Sequence, residues 1–137
     1  MILEFPQIPD FLDVQDVLDV HEYELERFGG GGGVRDQALL ESAVAMPSMT
    51  FDGAYLNGDL FGIAAAYLFH IAKNHAFIDG NKRTGLASAL LFLRLNGLRL
   101  TQTPCPRLYD ATIAVIEERM DKDELAELFR SLPWTEA

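Results

Sequence analysis

Two strongly apolar runs, Leu60 to Ile71 and Leu86 to Leu95, flank one short polar stretch, His75-Ala76-Phe77-Ile78-Asp79-Gly80-Asn81-Lys82-Arg83-Thr84-Gly85. That arrangement leaves few folds open. In the first run Leu60, Phe61, Ile63, Ala64, Tyr67, Leu68 and Ile71 recur at helical spacing and cover most of a helix circumference. This predicts a central helix that begins at Asp59 and ends at Asn74. Its small residues, Gly62 and Ala64 to Ala66, allow close helix contacts. The second run predicts a helix from Thr84 to Asn96, apolar almost all round, with Gly97 as its stop. Two such helices belong at the centre of the molecule, joined by the polar stretch.

The rest of the chain must cover them. The first residues, through Pro9, carry two prolines and are expected to be extended. Asp13 can cap a helix in which Val14, Val17, Leu18, His21, Leu25 and Phe28 form one apolar stripe. His21 lies on that stripe, where a buried histidine bonded to a backbone carbonyl is expected. Gly29 to Gly33 end this helix. No Gly-Lys-Ser/Thr follows, so the run is not a P-loop. It is expected to be a flexible connector that also lets a ligand or a partner backbone come close.

Arg35 to Met46 predicts a short helix with Leu39, Leu40, Ala43 and Val44 inward and Pro47 as its stop. Between Ser48 and Gly58, an Asp52-Gly53 pair flanked by aromatics predicts a short hairpin or flap. After a loop from Thr101 to Pro106, two amphipathic helices, Arg107 to Met120 and Asp121 to Leu132, close the bundle. No β-rich half and no repeat is evident. The expected class is all-α, one domain over residues 1–137.

Composition narrows the function. The formal net charge is −10. A chain this acidic lacks the basic face expected for binding nucleic acid or an anionic membrane. The adjacent cations Lys82 and Arg83 therefore point to a local role. Cys105, the one cysteine, has no partner for a disulfide or for metal-ligand spacing and is expected to be a plain loop or core thiol. The N-terminus lacks the basic and apolar segments of a signal peptide. No apolar run reaches the roughly 20 residues needed to cross a bilayer. The expectation is a soluble cytoplasmic protein.

The polar stretch carries the chemistry. The first amides of a helix have no partner within it, and the helix dipole is positive at that end, so a helix start binds phosphate readily. Gly80 lets a phosphate approach the backbone, and the Asn81 amide can add a donor. Lys82 and Arg83 supply charge, Arg83 with a bidentate fork. Asp79 would repel a bare phosphate but suits one bridged by Mg²⁺, which takes one or two carboxylates beside phosphate oxygens. His75 is the residue type suited to a general base that accepts a hydroxyl proton. Phe77 would point into the core and anchor the loop, leaving His75 and Asp79 to point out. Base, metal carboxylate and anion hole are the parts needed for phosphoryl or nucleotidyl transfer to a hydroxyl. A metal site built from His70, His75 and Asp79 fits poorly, because the two histidines are not at i, i+4 spacing. No nucleophile-elbow pattern supports a Ser-His-Asp hydrolase.

At these residues the sequence resembles the Fic/Doc superfamily. Its Fic members carry His-x-Phe-x-Asp/Glu-Gly-Asn-Gly-Arg-x-x-Arg and transfer AMP from ATP to target hydroxyls. The chain follows that pattern at His75, Phe77, Asp79, Gly80, Asn81 and Arg83, and departs from it at Lys82 and Leu86. Both departures resemble the death-on-curing, or Doc, branch, as do His21 to Val44 and the helix ending in Asn96-Gly97. A lysine at position 82 would crowd the arrangement that accepts inner phosphates, and Leu86 cannot hold a terminal one.

The resemblance implies a Fic/Doc helical bundle whose central helix–loop–helix carries the active-site loop. It implies that ATP binds with its γ-phosphate at the transfer position, giving a phosphorylated Ser or Thr. The family's target is a threonine of elongation factor Tu, which halts translation. Carried over, His75 is the base, Asp79 the Mg²⁺ ligand, and Gly80, Asn81, Lys82 and Arg83 the phosphate site. Self-restraining Fic proteins carry Ser/Thr-x-x-x-Glu, whose Glu pairs with the final Arg. Here no Ser or Thr has a Glu four residues on. That fits control by a separate antitoxin folding as a helix into a groove. An AMP-transferase with the same loop, and a Doc-like binding module without catalysis, remain the rival readings.

Overall fold

The computed structural model describes residues 8–137; the expectation of an extended N-terminus falls mostly on residues 1–7, outside the described residues. Six helices dominate: α1 (Val14–Phe28), α2 (Gln37–Ala45), α3 (Leu60–Asn74), α4 (Asn81–Leu95), α5 (Pro106–Ile116) and α6 (Lys122–Ser131). The all-α class holds, because among the described residues the strands form only two small antiparallel pairs. One pair is the expected hairpin, β1 (Thr50–Phe51) with β2 (Ala54–Tyr55). Asp52 and Gly53 both adopt positive φ between them, 52° and 82°, which matches the twist a two-residue hairpin needs. The other pair, β3 (Leu98–Leu100) with β4 (Trp134–Glu136), was not anticipated. Trp134 there packs on Phe61 and Phe129, so the pair closes the end of the bundle over the core.

Aspartates cap four of the helices, Asp13 among them as expected. Asp13 and Asp16 form a reciprocal capping box on α1, and Asp121 and Glu124 form one on α6. Asp59 caps α3 and also pairs with Arg130 of α6 at 2.9 Å. Three boundaries move, one of them the end of α5, which stops at Ile116 rather than Met120. Helix α2 starts at Gln37 because Asp36, not Arg35, takes the capping position. Helix α4 starts at Asn81 rather than Thr84, so Asn81, Lys82 and Arg83 form its first turn. Beyond α2, Met46 to Ser48 continue as a single tight 3₁₀ turn through Pro47.

The central helix is α3, which touches α2, α4, α5 and α6. Its closest neighbour is α4, and the face α4 turns inward is small and partly polar: Asn81, Thr84, Gly85, Ser88 and Ala89, then Phe92 and Leu93. A Cβ on Gly85 would lie 3.0 Å from the Leu68 carbonyl oxygen, so glycine sets how near the two backbones come. Thr84 and Ser88 bury hydroxyls with no hydrogen-bond partner among the described residues. The expected all-round burial of α4 is therefore corrected. Leu86, Leu90 and Leu91 are only half-buried and Leu95 is exposed, because close packing selected the small residues instead. No helix among the described residues is long and apolar enough to cross a membrane.

Candidate active site

The loop between α3 and α4 begins where α3 ends. His75 takes the left-handed conformation, φ 53° and ψ 45°, and terminates the helix. The chain then dives inward. Ala76 and Phe77 are fully buried, and Phe77 lies flat against the buried His21 ring with centroids 3.8 Å apart. The chain surfaces again at Ile78 and Asp79, both exposed. Gly80, at φ 82°, turns it into α4. The expected division holds: Phe77 anchors, while His75 and Asp79 face outward.

Burial of Phe77 requires that its backbone be satisfied. Asn81 does this. Its side-chain oxygen accepts from the Phe77 N–H and its NH₂ donates to the Phe77 carbonyl, both at 3.0 Å. These two bonds fix which way the amide points. The remaining Asn81 N–H then faces His75 Nδ1 at 3.3 Å, where it can donate to that nitrogen and orient the imidazole. The Asn81 side chain, expected to serve a phosphate, is thus buried and occupied inside the loop. What this residue offers outward is its backbone amide. Gly80 has no side chain to cap the helix, and no acceptor among the described residues takes the amides of Asn81, Lys82 or Arg83.

His75, Asp79, Gly80, Lys82 and Arg83 line one cavity of about 370 Å³, together with Lys73 and Tyr109. In an acidic chain this pocket concentrates cations beside a free helix start, which favours an anion. The Arg83 guanidinium rests on the Phe28 ring, 4.4 Å from its centroid, within reach of the cavity rim. Among the described residues no group of three or more His, Cys, Asp or Glu could enclose a metal ion. A lone carboxylate, Asp79, suits Mg²⁺ that arrives with its phosphates and keeps water, not a cage made of protein. His70 stands apart from this cavity, half-buried, with Nε2 3.3 Å from Lys122 Nζ.

Some contributors escaped sequence reasoning. His21 bonds the Asp79 carbonyl at 2.8 Å, as expected of its type but with a partner 58 residues away. Arg35 Nε donates to the His75 carbonyl at 2.8 Å. Both bonds end on backbone oxygens, which no residue pattern advertises. Leu86, at the position where Fic loops carry their final Arg, does not line the cavity. It faces a neighbouring apolar groove of about 540 Å³ with Phe28, Leu90 and Leu108.

The family model for the Fic/DOC family matches residues 11–93. Toxin Doc of Mycolicibacterium smegmatis is 45% identical over 91 residues, covering 66% of this chain and 68% of that protein. Protein kinase doc of Escherichia phage P1 is 32% identical over 118 residues, covering 86% of this chain and 91% of that protein. The match spans α1 through most of α4, so it contains the whole loop and both helices that hold it. With the loop geometry and these matches together, the chain belongs to the Fic/Doc family, in its Doc branch.

Proposed function

We propose that this chain transfers the γ-phosphate of ATP to a Ser or Thr hydroxyl of a protein, and that it is the toxin of a toxin–antitoxin pair. The observation that carries this reading is the single cavity shared by His75, Asp79 and the open first turn of α4. The amides of Asn81, Lys82 and Arg83 would receive phosphate oxygens, with the Lys82 and Arg83 side chains adding charge. Asp79 would hold a Mg²⁺, which supplies charge neutralisation when bound. His75 would take the proton of the attacking hydroxyl, and ADP would leave. The names of the two relatives support the toxin and kinase assignments.

By family resemblance the target is elongation factor Tu, in the cytoplasm, and translation is what stops. The apolar groove beside the cavity is where a helical antitoxin segment would lie. Incubating the protein and Mg²⁺ with elongation factor Tu and ATP labelled at either the α- or the γ-phosphate tests the reaction. Label from the γ-position alone is expected on the target, and none with His75→Asn. Label from the α-position alone would replace this reading with AMP transfer.

A further inference from the structure

The glycine run is more than a connector. Residues 33–36 run antiparallel to residues 76–78 and bond to the loop through the backbone of Gly33, Arg35 and Asp36. The Arg35 N–H donates to the Ala76 carbonyl at 2.7 Å, Val34 pairs with Phe77, and the Ile78 N–H donates to the Gly33 carbonyl at 3.2 Å. At the end of this series the Gly31 N–H donates to Asp79 Oδ2 at 2.7 Å. His21 holds the same residue by its backbone carbonyl, at 2.8 Å. A Cβ on Gly30 would lie 3.2 Å from the Asp79 Cβ, and one on Gly31 3.1 Å from Oδ2.

We propose that this glycine segment is a strap that positions Asp79. The Gly31 amide fixes carboxylate oxygen Oδ2, the missing side chains at Gly30 and Gly31 leave the space that carboxylate occupies, and Oδ1 is the oxygen left for a cation. The last clause rests on the proposed function; the strap itself does not. Gly31 is a positioning residue, acting through Asp79. A helix-ending glycine would be explained by Gly29 alone, which closes α1 at φ 78° with nothing near its Cβ position. Of the glycines that follow, Gly30 and Gly33 also take positive φ, 125° and 107°, whereas Gly31 does not and is explained by what it touches.

The segment contains its own control. Neither Gly31 nor Gly32 has a positive φ, so alanine fits the backbone at both. Each substitution removes the same chain freedom from the unfolded state. Only at position 31 does the new methyl meet the carboxylate; at position 32 it meets Leu25 Cδ1 at an ordinary 3.9 Å. Binding of Mn²⁺ in the presence of ATP, counted by electron paramagnetic resonance, is expected to weaken on the order of tenfold in Gly31→Ala, the scale at which contacts to a metal ligand act. Gly32→Ala should bind as wild type, and both variants should unfold at similar temperatures. Equal Mn²⁺ binding in the two variants, or equal loss, overturns the proposal. Amide exchange without nucleotide tests the strap independently: the Gly31 amide should be protected in wild type and lose that protection in Asp79→Ala, while Gly32 is unaffected. If wild type takes up no Mn²⁺ with ATP, the proposed function fails while the exchange result still decides the strap; a Gly31 amide indifferent to Asp79 sinks it.

Discussion

A side-chain amide has two donors and a two-lone-pair acceptor, and the loop uses Asn81 in three directions at once. Replacing it by alanine would leave the buried N–H and carbonyl of Phe77 without partners, at about 1–3 kcal/mol for each group that water cannot reach. Asn81→Ala should therefore lower the unfolding free energy by on the order of 3 kcal/mol, read as a lower urea midpoint. His75→Asn should leave the midpoint nearly unchanged, since His75 is exposed and asparagine tolerates its left-handed backbone. A midpoint shift as large for position 75 as for position 81 would show that Asn81 does not brace the loop. The contrast also explains what could be read from sequence. His75, Asp79, Lys82 and Arg83 reach the cavity because their chemistry is consecutive along the chain. The bracing role of Asn81 was illegible, because its main partner is the backbone of Phe77, and a backbone partner leaves no trace in residue type.

Helical periodicity located all six helices, and it did so because each has a buried side. It could not say which side of α4 would be buried. Counting leucines favours Leu86, Leu90 and Leu91, yet proximity to α3 selects Gly85, Ser88 and Ala89. The short pair β3–β4 was invisible for a similar reason: three-residue strands carry too little pattern to register. The contact of α3 with α6 adds a pH dependence. His70 on α3 is depressed from 6.5 to about 4, first by burial and then by the Lys122 ammonium of α6. Between those values the unfolded chain binds a proton that the folded chain refuses. The stability tied to His70 is thus complete above about pH 6.5 and is lost as pH falls toward 4. The urea midpoint of wild type should fall over that interval more steeply than that of His70→Gln. Parallel curves would mean that the α3–α6 contact does not hold the imidazole neutral.

Across the molecule, an acidic chain keeps its phosphate-seeking groups in one pocket and an apolar groove next to it. Arg83 borders both, with its guanidinium on Phe28 between them. If the cavity does the chemistry and the groove takes an antitoxin helix, the two should be separable by mutation away from that shared border. Leu90 lines the groove and not the cavity. A charge at this half-buried position opposes an apolar helix, with a loss on the order of 2 kcal/mol, or about thirtyfold in Kd. Leu90→Asp should then arrest growth like wild type when expressed alone and continue to arrest it when the antitoxin is co-expressed. His75→Asn should show the reverse pattern, harmless alone yet still capturing the antitoxin with wild-type affinity. Measuring both properties for both variants distinguishes a catalytic toxin from a module that acts by binding, since a binding module would stay toxic without its imidazole. Full rescue of Leu90→Asp by the antitoxin, in a variant that folds as wild type, would place the partner somewhere other than this groove.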